Sequence, residues 1–192
     1  MPFQTELYNL NVLPAIFLDR DGVIIENRDA YVRSWDDVSI YPQALQALAA
    51  FRNAPFYFVI VTNQSAVGRG IISQQEAEAI NTQLVKEITL AGGRIDAVFM
   101  CPHAPAAGCQ CRKPEPGLFH LAAQKLSVDI NNSIMVGDAL TDLVAAQNAK
   151  IKQRVLVRTG RGEQQLKLAE AQSIAPYMVY ASLLDALNNL LL

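Results

Sequence analysis

The chain has no apolar run long enough to cross a bilayer as a helix, which argues against membrane spans. It has no excess of charge either: 16 Lys and Arg stand against 18 Asp and Glu, a net charge of −2. That balance gives no electrostatic case for nucleic acid or an anionic membrane, and neither is an expected partner. Cysteine is scarce. The three present are an odd number confined to 101–111, which does not make a disulfide framework and suits a reducing compartment. The opening Met1-Pro2-Phe3-Gln4-Thr5-Glu6 lacks the basic and apolar regions of a signal peptide, so a cytoplasmic protein is expected. Internal repeats, low-complexity tracts and domain linkers are missing too. Residues 1–192 are therefore expected to form one domain, with a monomer as the expected state.

What the chain has is a regular alternation of short apolar runs and helical patterns. Hydrophobic residues make up 51% and charged residues 18%, the profile of a chain with a substantial core. The run Ile16-Phe17-Leu18 reads as a buried strand and ends in Asp19-Arg20-Asp21-Gly22. Alternation with period two would let Asp19 and Asp21 face one side while Arg20 points away. Further strands are expected over 56–61, 97–100, 133–136, 154–157 and 178–181. Between them, Pro42 opens a helix with Leu45, Leu48 and Ala49. Ser73 and Glu76 form a capping box ahead of Ile80, Leu84 and Ile88, and Gly92-Gly93 ends that helix. Other helices carry Leu118, Phe119 and Ala122, then Asp142, then Leu184, Leu187 and Leu191 behind Ser182. Residues 25–40 read as a long connection. Strand–helix alternation predicts an α/β fold: a three-layer, doubly wound, mostly parallel sheet.

Three of these strands deliver polar residues at their carboxyl ends, the edge where open α/β sheets bind ligands. They are Asp19 and Asp21, then Thr62 and Asn63, then Asp138, with Lys113 in a loop between. Each alone has an ordinary structural explanation, but together they supply the parts of a magnesium-dependent phosphoryl-transfer site. Asp19 is the candidate nucleophile and Asp21 the candidate general acid and base. Magnesium prefers hard oxygens, which suits Asp19, Asp138 and a main-chain carbonyl at Asp21. Lys113 and the Thr62 hydroxyl are expected to neutralise and orient phosphate oxygens.

Cys101, His103, Cys109 and Cys111 place three thiols and an imidazole within eleven residues, the ligand set of a closed structural zinc site. Cys111 directly precedes Arg112 and Lys113, so fixing that sulfur fixes where two cations point. The other histidine, His120, lies in an apolar helical stretch and is expected to pack there.

The Asp-x-Asp-Gly of Asp19–Gly22, the strand-ending Thr62, Lys113 and the Gly-Asp-x-x-x-Asp of Gly137–Asp142 resemble, in order, the four motifs of the haloacid dehalogenase-like phosphatases. The resemblance implies a covalent aspartyl-phosphate on Asp19, with Asp21 protonating the leaving oxygen and then activating water. Only 40 residues separate Asp21 from Thr62 and 50 separate Thr62 from Lys113, so the enzyme reads as capless. With Thr-Asn-Gln, the cysteine cluster and Arg-Lys-Pro added, the chain is similar to the branch that holds heptose 1,7-bisphosphate and histidinol-phosphate phosphatases. Thr62–Gly70 and Arg158-Thr159-Gly160 look like the heptose group. Carried over, Asn27, Arg28, Asp29, Ala30 and Tyr31 would line the sugar. Thr62, Asn63, Gln64, Ser65 and Lys113 would line the phosphate, with Arg69 and Arg112 at the rim. Ala139 stands where the family often has lysine. The implied reaction removes the C7 phosphate of a heptose 1,7-bisphosphate, a step in nucleotide-heptose biosynthesis; histidinol phosphate or another small sugar phosphate is the alternative. A phospho-receiver or an inactive sugar-phosphate binder is the reading from a different class.

Overall fold

A computed structural model describes residues 12–174 and 176–192. Met1–Glu6, on which the signal-peptide expectation rests, lies outside them. The chain runs β1 (Leu13–Leu18), α1 (Pro42–Ala50), β2 (Tyr57–Asn63), α2 (Ser65–Gly68), α3 (Gln74–Leu90) and β3 (Ala97–Cys101). It continues with α4 (Gly117–Leu126), β4 (Val128–Gly137), α5 (Leu140–Asn148), β5 (Gln153–Val157), α6 (Gly162–Gln165), α7 (Glu170–Ser173), β6 (Met178–Tyr180) and α8 (Leu183–Leu191).

Among the described residues the six strands form one sheet in the order β3-β2-β1-β4-β5-β6, every neighbouring pair parallel. Alternation along β1 divides the core in two. Ile16 and Leu18 pack with Leu48 of α1, Leu84 of α3 and Leu187 of α8. Ala15 and Phe17 face the other way, against Phe119 of α4 and Ala145 of α5. Phe17 and Phe119 meet edge to face, centroids 4.9 Å apart at 86°, the arrangement that ring quadrupoles favour. These are the three layers that the alternating apolar runs predict.

Local chemistry sets the helix ends. Ser73 Oγ accepts the Glu76 N–H at 3.1 Å, and Glu76 Oε2 accepts the Ser73 N–H at 2.7 Å. That closes the capping box at the start of α3. Gly92, at φ +86°, turns the chain out of the helix's far end. Three features depart from expectation. β4 spans ten residues, starting well before Ser133. Its polar Asp129, Asn131 and Asn132 hide the strand from a hydropathy reading, while Ser133 Oγ accepts the Ala15 N–H at 2.9 Å where the register with β1 shifts. The four-residue helices α2, α6 and α7 are too short to leave a periodic signal. His120 does not pack into the core: it lies on the exposed face of α4, while Leu118, Phe119 and Ala122 face inward.

The topology also places the site. From β1 the chain winds outward through β2 and β3, then returns to β4 on the other side of β1 and winds outward again. Between β1 and β4 successive connections diverge, leaving a crevice at the carboxyl ends, where α/β sheets bind ligands. Residues 19–41, between β1 and α1, hold a single 3₁₀ turn (Trp35–Asp37) and no inserted globular unit.

Candidate active site

Asp19 follows the last residue of β1, and its N–H donates to the Val136 carbonyl of β4 at 3.0 Å, so the first acid is fixed by the sheet itself. Asp138 follows the last residue of β4 and Asp142 lies one turn into α5. One carboxylate oxygen from each of these three buried acids falls within 4.8 Å of the others. Lys113 reaches in from the loop after β3. Its Nζ lies 2.9 Å from Asp19 Oδ1, 2.7 Å from Asp142 Oδ1 and 2.8 Å from the Val61 carbonyl of β2. Burial works against its charge, yet Asp142 and Asp19 hold its pKa above the usual lysine value.

Three carboxylates against one buried ammonium leave negative charge uncompensated. Burial above all, then the charges of Asp142, Asp138 and Asp21, push Asp19 up to about 7 in spite of Lys113. Burial and then Asp142 likewise raise Asp138, in spite of Arg161. An all-oxygen site with surplus negative charge fits a hard divalent cation such as magnesium. Asp19 Oδ1 takes both Lys113 and the Arg20 N–H (2.8 Å), leaving Oδ2 without a protein donor among the described residues. Gly22 is required here: at φ +84° it brings the backbone so close that a Cβ would strike the Asp138 carboxylate.

Asp21 is outside this acid cluster. Its carboxylate is gripped by Arg20, Nε to Oδ2 and Nη2 to Oδ1 both at 3.1 Å, and by Gln64 Nε2 at 3.0 Å. Arg20 does not point away from the site. The strand ends before it, and its guanidinium, only 1% exposed, folds back along Asp21 and donates onward to Asn81 of α3 at 2.8 Å. A charged residue flanked by two acids was the available signal for this role, and alternation alone missed it.

A cavity of about 280 Å³ opens over these groups, lined in part by Asp19, Asp21, Lys113, Asp142, Thr141 and Arg161. Asn27, Arg28, Tyr31, Asn63, Gln64, Ser65 and Arg112 line it too, as the sequence expectation has them. Asp29, Ala30, Arg69 and Ala139 do not. Nor does Thr62, fully buried with its hydroxyl accepting Gln64 Nε2 at 2.8 Å. Tyr31 adopts φ +67°, a backbone region that costs a non-glycine residue about 1 kcal/mol or more and recurs at functional sites. Thr141, Asp142 and Arg161 were not among the predicted site residues. Asp142 was visible in the Gly137–Asp142 pattern. Arg161 carried no signal, because its loop closes on the site only in three dimensions.

The cysteine cluster forms beside this cavity. Cys101 Sγ lies 3.6 Å from Cys109 Sγ and 3.2 Å from Cys111 Sγ. Cys109 and Cys111 are 3.5 Å apart, and His103 Nδ1 is 3.6 and 3.3 Å from Cys101 and Cys111. A tetrahedral zinc at about 2.3 Å from each sulfur sets such edges at roughly 3.8 Å, so the four atoms fit that ion. Burial, then the Cys101 and Cys109 sulfurs, push the Cys111 thiol up to about 12, a crowding that a bound cation relieves. The loop is tied to the site: the Gln64 N–H donates to the Cys101 carbonyl at 2.8 Å and Arg112 Nη1 to the His103 carbonyl at 3.4 Å.

Comparison with known proteins agrees with this geometry. The family profile described as "HAD-hyrolase-like" matches residues 110–186. The D-glycero-beta-D-manno-heptose-1,7-bisphosphate 7-phosphatase of Bordetella bronchiseptica is 42% identical over 151 residues, 79% of this chain and 84% of that one. The protein of the same name from Escherichia coli is 36% identical over 156 residues, 78% and 82% of the two chains. The crystal structure of the B. bronchiseptica D,D-heptose 1,7-bisphosphate phosphatase, complexed with magnesium and phosphate, superposes with a TM-score of 0.85. It does so at 39% identity over 93% of this chain and 98% of that one. The chain belongs to the haloacid dehalogenase-like phosphatases and, among them, to the heptose bisphosphate phosphatase branch.

Proposed function

We propose that this chain is a magnesium-dependent phosphatase that removes the C7 phosphate of D-glycero-beta-D-manno-heptose 1,7-bisphosphate through an aspartyl-phosphate on Asp19. The observation that carries the reading is the free Oδ2 of Asp19, backed by Lys113 and facing a cavity that Asp21 also lines. The names of the relatives, and the magnesium and phosphate in the B. bronchiseptica structure, support the same substrate and cation.

Asp19, Asp138, Asp142 and the main-chain carbonyl of Asp21 would hold the magnesium ion, which supplies positive charge at the phosphate oxygens. The residues do the rest. Asp19 Oδ2 attacks phosphorus while the bond to the ester oxygen breaks, and Asp21, as general acid, delivers a proton to that leaving oxygen. Asp21, now a carboxylate, takes a proton from water as the water oxygen attacks phosphorus. The bond to Asp19 breaks and inorganic phosphate leaves. Lys113 balances charge on Asp19 and on the transferring group throughout. Arg20 and Gln64 keep the Asp21 carboxylate in place between the two steps. Cys101, His103, Cys109 and Cys111 would hold a zinc ion, which would fix the loop that presents Arg112 and Lys113.

A monomer is the proposed state, and residues 1–192 are read as one catalytic domain. Among the described residues no helix is long and apolar enough to cross a membrane, and a cytoplasmic enzyme is the proposal. The test is phosphate release, with magnesium, from both heptose bisphosphate anomers, fructose 1,6-bisphosphate and histidinol phosphate. The expected result is the highest kcat/KM on a heptose bisphosphate. A preference for histidinol phosphate overturns the substrate and leaves Asp19 and Asp21 in their roles.

A further inference from the structure

The cations lining the cavity are held in different ways. Lys113 is neutralised by Asp19 and Asp142. Arg28 donates from Nε to the Asp37 carbonyl at 2.8 Å, and Arg112 to the His103 carbonyl. Arg161 leans on Asp138, an acid placed to hold the divalent cation. Its Nη2 is 3.3 Å from Oδ1 and its Nε 3.4 Å from Oδ2. Both are long for a charged pair.

The two oxygens of Asp138 are differently occupied. Oδ2 is fixed by two neutral donors, Asn27 Nδ2 at 2.6 Å and the Arg161 N–H at 2.8 Å. Oδ1 has only the Arg161 guanidinium as donor among the described residues. The side chain of Arg161 is 52% exposed, whereas that of Asp138 is 0% exposed. A divalent cation taking Oδ1 sets a second positive charge against the guanidinium, and the two like charges repel. Asp138 is locked by its Oδ2 partners, so the exposed arginine is the one that moves, along the wall of the cavity it already lines.

We propose that Arg161 is a specificity-determining residue with two positions. It occupies Asp138 Oδ1 in the metal-free protein, and once a divalent cation takes that oxygen it turns toward the non-reacting phosphate of the substrate. This rests on the phosphatase reading above. A guanidinium suits the second task, because its planar fork matches two phosphate oxygens at once. With Arg28 and Arg112 it puts three arginines around one cavity, the complement of the far end of a doubly phosphorylated sugar. Ala139, next to Asp138 in sequence, offers no charge, so the cation on this side comes from the loop after β5.

The test uses the full chain in two measurements. Calorimetric titration with Mg2+ alone is run on wild type, Arg161→Ala and Arg161→Lys. Removing the competing guanidinium is expected to tighten Mg2+ binding about threefold to fivefold, the value of a part-exposed ion pair, with Arg161→Lys in between. KM is then compared for a sugar bisphosphate and for the monophosphate that keeps only the reacting group. Arg161→Ala is expected to raise KM for the bisphosphate about tenfold more than for the monophosphate, and Arg161→Lys to recover part of that difference. Unchanged or weaker Mg2+ binding, or equal KM changes on the two sugars, overturns the proposal. If wild type releases phosphate from neither sugar, the phosphatase reading falls and takes the phosphate half with it; the titration separately decides the Arg161–Asp138 half.

Discussion

Asn63 holds Lys113 by its main chain on both sides: Asn63 Oδ1 accepts the Lys113 N–H at 3.1 Å, and Asn63 Nδ2 donates to the Lys113 carbonyl at 3.1 Å. β2 thereby positions the residue whose ammonium sits between Asp19 and Asp142. Asn63→Ala is expected to release that backbone and lower kcat/KM about tenfold, since small misplacements of a charge-stabilising group are costly. Steady-state kinetics alongside a thermal melt checks this: activity should fall far more than Tm.

Asp19→Asn is expected to abolish turnover, because an amide is not a usable nucleophile, yet to leave the fold intact. It also removes a buried carboxylate that its neighbours oppose, while Lys113 keeps Asp142 and the Val61 carbonyl. The metal-free variant should therefore melt at the same temperature as wild type or above it. A clearly lower Tm would show that the Asp19–Lys113 pair is a net support of the fold.

The raised pKa of Asp19 gives stability a pH dependence of definite sign. The folded chain keeps that proton up to about 7, whereas the unfolded chain releases it near about 3.9. Between those values the folded state binds more protons, so metal-free stability falls as pH rises through the window. Mg2+ needs the ionised carboxylate, so the Tm gained on adding Mg2+ should grow from pH 5 to pH 8. Melts across that range, with and without Mg2+, check both slopes, and Asp19→Asn should flatten them.

Arg20 grips Asp21 through a two-bond fork and Asn81 through a third bond, a geometry that a lysine cannot reproduce. Arg20→Lys is expected to lower kcat about tenfold with little change in KM, because Asp21 transfers protons and does not anchor substrate. An unchanged kcat would show that Gln64 alone suffices to place Asp21.

Metal analysis is expected to find one zinc per chain, separate from the Mg2+ that activity requires. Cys109→Ser should lose the zinc and lower Tm by roughly 5–10 °C, the shift that about 2–3 kcal/mol produces in a chain of this size. It should also weaken phosphate binding through the Arg112–Lys113 segment. A folded, active preparation without zinc would remove the site.

Periodicity and local chemistry by themselves determined the order of the strands and the longer helices, the three-layer sheet, the capping box at Ser73 and Glu76, and the strand-end placement of Asp19, Asp138 and Thr62. Such features depend on residues near one another in sequence, and hydrophobic alternation reports them directly. The cysteine spacing likewise located the sulfur cluster. Tertiary structure alone decided which groups face one another across the crevice. It turned Arg20 back onto Asp21, drew Asp142 into the carboxylate cluster, buried the Thr62 hydroxyl against Gln64, and brought Arg161 from beyond β5 to Asp138, 23 residues earlier. Long side chains reach several ångströms past their own backbone, and loops that converge at a sheet edge leave no periodic trace. The charge balance of the site is therefore a property of the folded chain.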